Sequence, residues 1–178
     1  RTPLLPFTRA ALRRLPELLD QPAMVSTFRG GGHAISRELL NRLGDYRQDM
    51  MFGEEEMDLA YRAIQAGYRI AYEPGIDVDH FPMPSVVAGQ KKRRTSELYY
   101  HVRNRWYLAY RYLPIRYLIP YLSIWMTQYA VRGIRTGSLL DLFRGLVAIP
   151  AYVRGVPRQV LDRRAIDYLA KHGGRLWY

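Results

Sequence analysis

The sequence predicts an α/β first half followed by an α-helical, amphipathic second half. Strand candidates alternate with helical patterns over residues 1–90, whereas residues 91–178 contain helical segments bounded by prolines. Charge divides the chain at the same place: residues 1–90 hold 10 basic and 12 acidic side chains, and residues 91–178 hold 17 and 4. We therefore expect an acidic part at 1–90 joined to a basic, aromatic-rich tail at 91–178.

Composition narrows the classes of function. The chain of 178 residues is long enough for one domain with a real core. It has no cysteine, which excludes disulfides and thiolate metal sites and fits a reducing compartment. The net charge of +11 favours an anionic partner, either a membrane surface or nucleic acid. There is no signal-peptide pattern, and the start at Arg1 suggests a fragment.

The first elements are predicted from local signals. Residues 8–19 form an amphipathic pattern that Pro16 kinks or breaks, and residues 24–28 form a strand candidate. Three glycines at 30–32 follow, which make a tight turn or let the backbone approach a ligand closely; the turn is the commoner explanation. Ser36 then predicts the N-cap of a helix that Gly44 closes.

Four carboxylates lie at the start of the next predicted helix, at Glu54, Glu55, Glu56 and Asp58. Acids in a first turn are stabilised by the helix dipole, which explains one or two of them. Four so close together repel and raise one another's pKa, so such clusters are best tolerated where a cation, a hydroxyl or a proton transfer uses them. Both the capping and the catalytic interpretation are open at this point.

Two further strands are predicted after this helix, at residues 68–73 and 76–80. The two-residue period of the second places His80 on the face of Ile76 and Val78, where a histidine is more often a core residue than a ligand. Residues 82–96 predict a mobile linker with a basic run from Lys91 to Arg94, either solvated or in contact with phosphate.

The tail predicts helices over residues 97–112, 113–131 and 139–149, each ended or interrupted by a proline. The middle stretch is marginal for spanning a membrane, which needs about 20 apolar residues. Apolar helices edged by arginine and aromatic residues favour a position in the membrane plane. The alternative is that they pack on one another or on the catalytic domain.

Six segments, taken in order, resemble the second half of family-2 inverting glycosyltransferases. The family pattern has a Gly-rich segment ending in Arg, an acidic pair one residue before Asp-Leu, a Gly-Tyr-Arg-Ile and a strand ending in His. The resemblance covers roughly residues 28–112. The matching segments are Gly30–Arg37, Leu43–Tyr46, Gly53–Arg62, Gly67–Pro74, Val78–His80 and Arg103–Asn104.

This resemblance implies a partial GT-A fold, a Rossmann-like α/β sandwich, and transfer of a sugar from a nucleotide-diphosphate donor with Mn²⁺ or Mg²⁺. The family's Asp-x-Asp metal motif belongs to the first half of the domain, and residues 1–27 do not supply it. Asp77-Val78-Asp79 has the letters but comes too late. The chain is thus expected to hold the acceptor side and the tail, and to be inactive alone.

The resemblance also implies residue roles. Matching on Asp58 and Arg62 places the catalytic base at Glu56, with Glu55 as the alternative because the family more often has Asp at position 56. Asp58 would anchor the helix or orient the acceptor, and His80 would help to bind the metal and diphosphate. The remaining expected substrate-binding residues are Gly31, Gly32, Arg37, Arg62, Lys91 and Arg94.

The expected acceptor is a cell-surface polysaccharide or a lipid-linked glycan, presented at the cytoplasmic face of an anionic membrane. Two other classes are open: a non-catalytic membrane-surface module, whose acids only cap a helix, and a nucleic-acid-binding domain. The tail has no recognisable RNA- or DNA-binding signature, so no nucleic acid is expected.

Overall fold

The computed structural model describes residues 19–78 and 91–174, and for residues 91–96 it describes the backbone. Within this range the chain divides into two compact units. The first unit comprises residues 19–46, 56–78 and 161–174, and the second comprises residues 47–55 and 97–160 together with the backbone of 91–96. The last helix of the chain therefore belongs with the N-terminal part.

The described helices and strands are short in the first unit and long in the second. In chain order they are β1 Ala23–Val25, α1 Arg37–Leu43, a 3-10 turn Gln48–Met50, α2 Glu55–Gln65, β2 Ile70–Tyr72, α3 Lys91–Tyr112, α4 Ile115–Thr136, α5 Leu139–Val153 and α6 Arg163–Lys171.

The predicted α/β class, a partial GT-A or Rossmann-like sandwich, is wrong. The described residues form six α-helices and one two-stranded sheet, in which β1 pairs antiparallel with β2. A Rossmann-like sandwich needs several parallel strands linked by crossover helices. Ile76 and Val78, predicted to begin another strand, lie outside any strand and are 68% and 56% exposed. Their alternating pattern has no neighbouring strand to pair with among the described residues.

The first unit joins α2 and α6 to the small sheet. The Tyr168 hydroxyl of α6 donates to the carbonyl of Val25 at 3.0 Å and accepts from the N–H of Ile70 at 3.1 Å. The side chain of Gln65, at the end of α2, accepts from the N–H of Asp162 at 2.9 Å. These bonds link residues 97 to 143 positions apart in the sequence.

Several local predictions in this unit are confirmed. The N–H of Leu39 donates to the Ser36 hydroxyl at 3.2 Å, and Gly44 closes α1 with a φ of 78°. The acidic stretch begins α2, and Gly67 follows its end with a φ of 91°. The strands predicted near residues 24–28 and 68–73 correspond to β1 and β2. The helix predicted at 8–19 falls almost wholly outside the described residues.

In the second unit, α3, α4 and α5 pack against one another. Leu98, Val102 and Tyr129 form a buried apolar cluster, with five partly buried neighbours: Trp106, Trp125, Met126, Leu142 and Leu146. Packing of the tail helices on one another, the alternative interpretation of their pattern, is therefore observed. Among the described helices none is long and apolar enough to cross a bilayer.

Three predicted helix boundaries in the tail are wrong. Lys91 to Arg94 form the first turn of α3 rather than part of a linker, and Lys and Arg are good helix formers. Pro120 lies inside α4 and Pro150 inside α5. Both prolines are exposed and lie within two turns of a helix end, and each removes one backbone hydrogen bond to the residue four positions earlier.

Candidate functional site

The four clustered carboxylates differ in their surroundings. Glu54 and Asp58 are buried, whereas Glu55 and Glu56 are half-buried. A buried carboxylate is costly unless a cation and hydrogen bonds compensate it. The partners of each acid therefore show whether it holds the fold or is available for chemistry.

Glu54 belongs to the second unit, where its carboxylate is held by two side chains of α3. Arg105 donates to its Oε1 at 2.5 Å, and Nδ1 of His101 lies 3.3 Å from the same oxygen. Burial raises the pKa of Glu54, but the charge of Arg105 and the hydrogen bond from His101 outweigh it, so that this pKa lies below its ordinary value. Glu54 therefore stays ionised as a structural anion.

Arg105 is itself enclosed by aromatic side chains of α4. Its guanidinium donates to the Tyr121 hydroxyl at 2.8 Å and lies 3.9 Å from the centre of the Trp125 ring. A weakly hydrated, planar guanidinium suits such a buried, stacked position better than an ammonium group. The ion pair thus links the acidic stretch to both α3 and α4.

The loop before α2 is fixed by Asn104, which the sequence interpretation had given no role. The Asn104 side-chain amide donates to the carbonyls of Met50 at 2.9 Å, Phe52 at 3.2 Å and Gly53 at 2.9 Å. Its carbonyl oxygen accepts from the guanidinium of Arg103 at 3.0 Å. The Arg103–Asn104 pair of the resemblance therefore shapes the backbone that leads into the acidic helix.

This loop adopts an unfavourable backbone conformation at two positions. Met51 and Glu54 are the non-glycine residues with positive φ in the described chain, at 60° and 78°. Such conformations persist where surrounding contacts impose them, and they are common at functional sites. Here the bonds from Asn104 and Arg105 impose them. The sequence feature that could have indicated this network is the polar run Arg-Asn-Arg at 103–105, inside a helix rich in tyrosine.

Asp58 belongs to the first unit and pairs with Arg62 one turn later in α2. Nε of Arg62 donates to Oδ2 of Asp58 at 2.9 Å. The same guanidinium donates to the carbonyls of Leu43 at 2.7 Å and Asp45 at 2.9 Å. Asp58 and Arg62 therefore tie the segment after α1 to α2. Direct contact of either residue with a substrate stays a prediction.

Glu56 lies against the Gly-rich turn. A Cβ built on Gly30 would collide with Oε1 of Glu56, so glycine at this position permits the close approach. In the part of the chain that the structure describes, no group forms a hydrogen bond or an ion pair with the Glu56 carboxylate. Glu56 is thus a half-buried acid next to two exposed glycines of the predicted substrate site, Gly31 and Gly32.

The Gly-rich turn is held in place by His33. Nδ1 of His33 donates to the carbonyl of Arg29 at 3.0 Å, since a carbonyl oxygen can only accept. Nε2 of the neutral ring then accepts from the Tyr46 hydroxyl at 2.7 Å. Two segments of the resemblance, one containing His33 and one containing Tyr46, are therefore in contact within the first unit.

The other predicted site residues are placed only in part. Arg37 is exposed at the start of α1. Lys91 and Arg94 lie in the first turn of α3, but their side chains are not described, and His80 lies outside the described residues. Among the described side chains no three His, Asp or Glu residues come together as metal ligands. The predicted metal site therefore stays a prediction.

Comparison with protein-family models, with curated proteins and with solved structures found no match to this chain. The function is therefore inferred from the residues and their geometry.

We expect Arg105→Met to lower the free energy of unfolding by about 3–5 kcal/mol, because it leaves the Glu54 carboxylate buried without its cation. Urea unfolding followed by circular dichroism measures the change. Arg132→Met is the matched control: Arg132 pairs with Glu97 at 3.4 Å near the surface, where loss of a pair costs about 0–1 kcal/mol. Equal losses in the two variants would contradict the structural role of Arg105.

Acid should weaken the folded state through Glu54. The pKa of Glu54 is lower in the folded than in the unfolded chain, so its contribution is present above about pH 4.3 and is lost as pH falls through the folded value. We expect Glu54→Gln to make the free energy of unfolding less steep in pH below about 5. Urea titrations from pH 6 to 3 test this, with Glu97→Gln as control. Parallel slopes for wild type and Glu54→Gln would contradict it.

Proposed function

We propose that this chain carries the acceptor side of a family-2-type inverting glycosyltransferase. The complete reaction would transfer a sugar from a nucleotide-diphosphate sugar to a hydroxyl of a cell-surface polysaccharide or lipid-linked glycan. This chain would bind the acceptor and take the proton from its hydroxyl. One observation carries the proposal: the Glu56 carboxylate has no bond to a described group and lies against Gly30 of the Gly-rich turn. The proposal concerns the reaction and does not require a Rossmann-like sandwich in this chain.

Inversion requires a base, and we propose the Glu56 carboxylate for that role. The acceptor hydroxyl attacks the anomeric carbon from the side opposite the leaving diphosphate, and a base takes its proton as the new bond forms. Glu54 and Asp58 are engaged by Arg105 and Arg62, so they support the fold. Glu55, half-buried and adjacent in the chain, is the alternative base.

The glycine-rich turn suits the binding of a polar acceptor. Exposed glycines leave backbone N–H and C=O groups accessible to sugar hydroxyls, and the turn is held by His33 and Tyr46. A rigid backbone surface next to the base lowers the entropy lost on orienting the attacking hydroxyl. We assign Gly31 and Gly32 to this role, with Arg37 at its edge.

A divalent cation belongs to the proposal as the group that stabilises the departing diphosphate. Among the described side chains no three His, Asp or Glu residues come together as ligands, so we assign the cation to His80. His80, Lys91 and Arg94 are proposed to complete the positive surroundings of the diphosphate. The steps assigned to Glu56 and the Gly-rich turn do not depend on the cation.

A non-catalytic membrane-surface module is the second candidate. It is favoured by the exposed apolar side chains of α5, among them Phe143 and Val147. In that case Glu55 and Glu56 would only stabilise the N-terminus of α2. Both candidates place the chain peripherally at the cytoplasmic face of an anionic membrane, so enzyme activity distinguishes them.

We expect Glu56→Gln to reduce turnover about 10²–10⁴-fold, the range for loss of a general base, because the amide cannot take the proton. The assay uses the complete natural polypeptide containing these residues. It measures release of nucleoside diphosphate from a panel of nucleotide-diphosphate sugars, with Mn²⁺ or Mg²⁺ and glycan acceptors. Glu97→Gln, an isosteric change in a surface ion pair of the second unit, is the control.

Two outcomes would contradict the assignment. Full turnover in Glu56→Gln with loss in Glu55→Gln would move the base to Glu55. Absence of turnover by the wild-type polypeptide with every donor would favour the membrane-surface module.

We also expect Gly30→Ala to reduce turnover with little change in stability. The added methyl group would displace the flexible end of Glu56, and the backbone of Gly30 is outside the positive-φ region, so alanine is tolerated there. Gly75→Ala is a closely matched control, because a Cβ on Gly75 would lie at an ordinary 3.4 Å from a glutamate oxygen, that of Glu73. Equal turnover in the two alanine variants would remove the link between Gly30 and the base.

A further inference from the structure

One face of α5 exposes a continuous row of apolar side chains. We call it the α5 stripe: Leu139, Leu140, Phe143 and Val147, which are 48%, 59%, 62% and 62% exposed. The last three lie one, four and eight residues after the first. At 100° per residue, all four fall within a sector of about 100° on one side of the helix. A row of large apolar side chains in water is a recognised mark of an interaction surface.

The opposite side of α5 already forms the packed interior of the second unit. Asp141 and Gly145 are buried. A Cβ built on Gly145 would lie 3.0 Å from Cβ of Val102, so α5 approaches α3 closely on this side. The core therefore uses one face of α5, and the α5 stripe is a second apolar face that the fold does not need.

The stripe continues toward the end of α4. Leu139 lies against Gly133, where a built Cβ would be 3.1 Å from its Cδ2. Val131 and Ile134 are exposed near the same turn, at 41% and 67%. Leu139 thus connects the α5 stripe to the end of α4, where Val131 and Ile134 are also exposed.

The exposed charge of this region is positive. Residues 131–154 contain four arginines and one acid, and that acid is the buried Asp141. All four arginines are exposed; Arg132 pairs with Glu97 at 3.4 Å, and Arg144 lies 3.8 Å from Asp141. The arginines are Arg132, Arg135, Arg144 and Arg154. An apolar row edged by cations is complementary to the boundary between anionic headgroups and acyl chains.

A second copy of the chain is a poorer occupant of this surface. A two-fold contact places the same patch of both copies face to face, which would bring the arginines of one copy toward those of the other. An anionic bilayer instead supplies phosphates to the arginines and acyl chains to the stripe. We propose that the α5 stripe lies in the headgroup region of an anionic membrane, with α5 parallel to the membrane plane.

This inference rests on the proposed membrane location and names the surface responsible for it. It does not depend on the assignment of Glu56, so the two can fail separately. Binding to vesicles tests the surface, and turnover with a water-soluble acceptor tests the chemistry.

The experiment is flotation of the chain with two kinds of vesicle, pure phosphatidylcholine and phosphatidylcholine with phosphatidylglycerol at roughly 3:1. We expect flotation with the anionic vesicles and a decrease with added salt, because the arginines act through charge. Leu140→Gln/Phe143→Gln should weaken binding about tenfold or more, and Arg135→Gln/Arg144→Gln should weaken it to a similar degree on anionic vesicles.

Met24→Gln/Ile76→Gln is the control pair, since both side chains are exposed apolar residues of the first unit. It should leave flotation unchanged, and circular dichroism should show that every variant stays folded. Flotation of wild type with neither vesicle, or equal flotation of wild type and Leu140→Gln/Phe143→Gln, would overturn the proposal. Concentration-dependent dimerisation that Leu140→Gln/Phe143→Gln abolishes, without lipid binding, would instead assign the stripe to a second copy.

Discussion

The buried ion pair between Arg105 and Glu54 is the contact on which the local structure of the acidic segment depends. Either charge alone would be expensive in this setting, because both side chains are buried among aromatic rings of α3 and α4. Together they hold Glu54 in a left-handed backbone conformation immediately before the first residue of α2. The ion pair therefore fixes the backbone directly before α2.

Four acids within five residues repel one another, and arginine side chains compensate the charge of two of them. Glu54 and Asp58 each have a guanidinium at hydrogen-bond distance, within different units, which lowers the repulsion among the four. Clustering alone was therefore a weaker sign of catalysis than the sequence indicated, since half of the cluster is structural. Glu56, beside Gly30, has no hydrogen bond or ion pair to a described group.

Several predictions based on local signals succeeded in the first unit, whereas helix boundaries in the tail and the fold class, which needed distant partners, were wrong. The Ser36 cap, the Gly44 terminus and the start of α2 depend on neighbours within four residues, so the sequence was sufficient. The fold class required knowing which strands pair, and Ile76 and Val78 show that an alternating pattern without a partner strand stays exposed. The network of Asn104 was missed because it joins α3 to a loop about 50 residues earlier.

Within the second unit, α5 is connected through α3 to the loop that precedes α2. One side of α5 packs on α3, and α3 holds the backbone of residues 50–54 through Asn104 and Arg105. These links are short and side-chain-specific, so α5 and this loop are parts of one packed unit. A membrane that holds the α5 stripe would therefore also set the distance of this loop from the lipid surface. Residues 50–54 would then lie at a constant depth, because α5, α3 and this loop belong to the same unit.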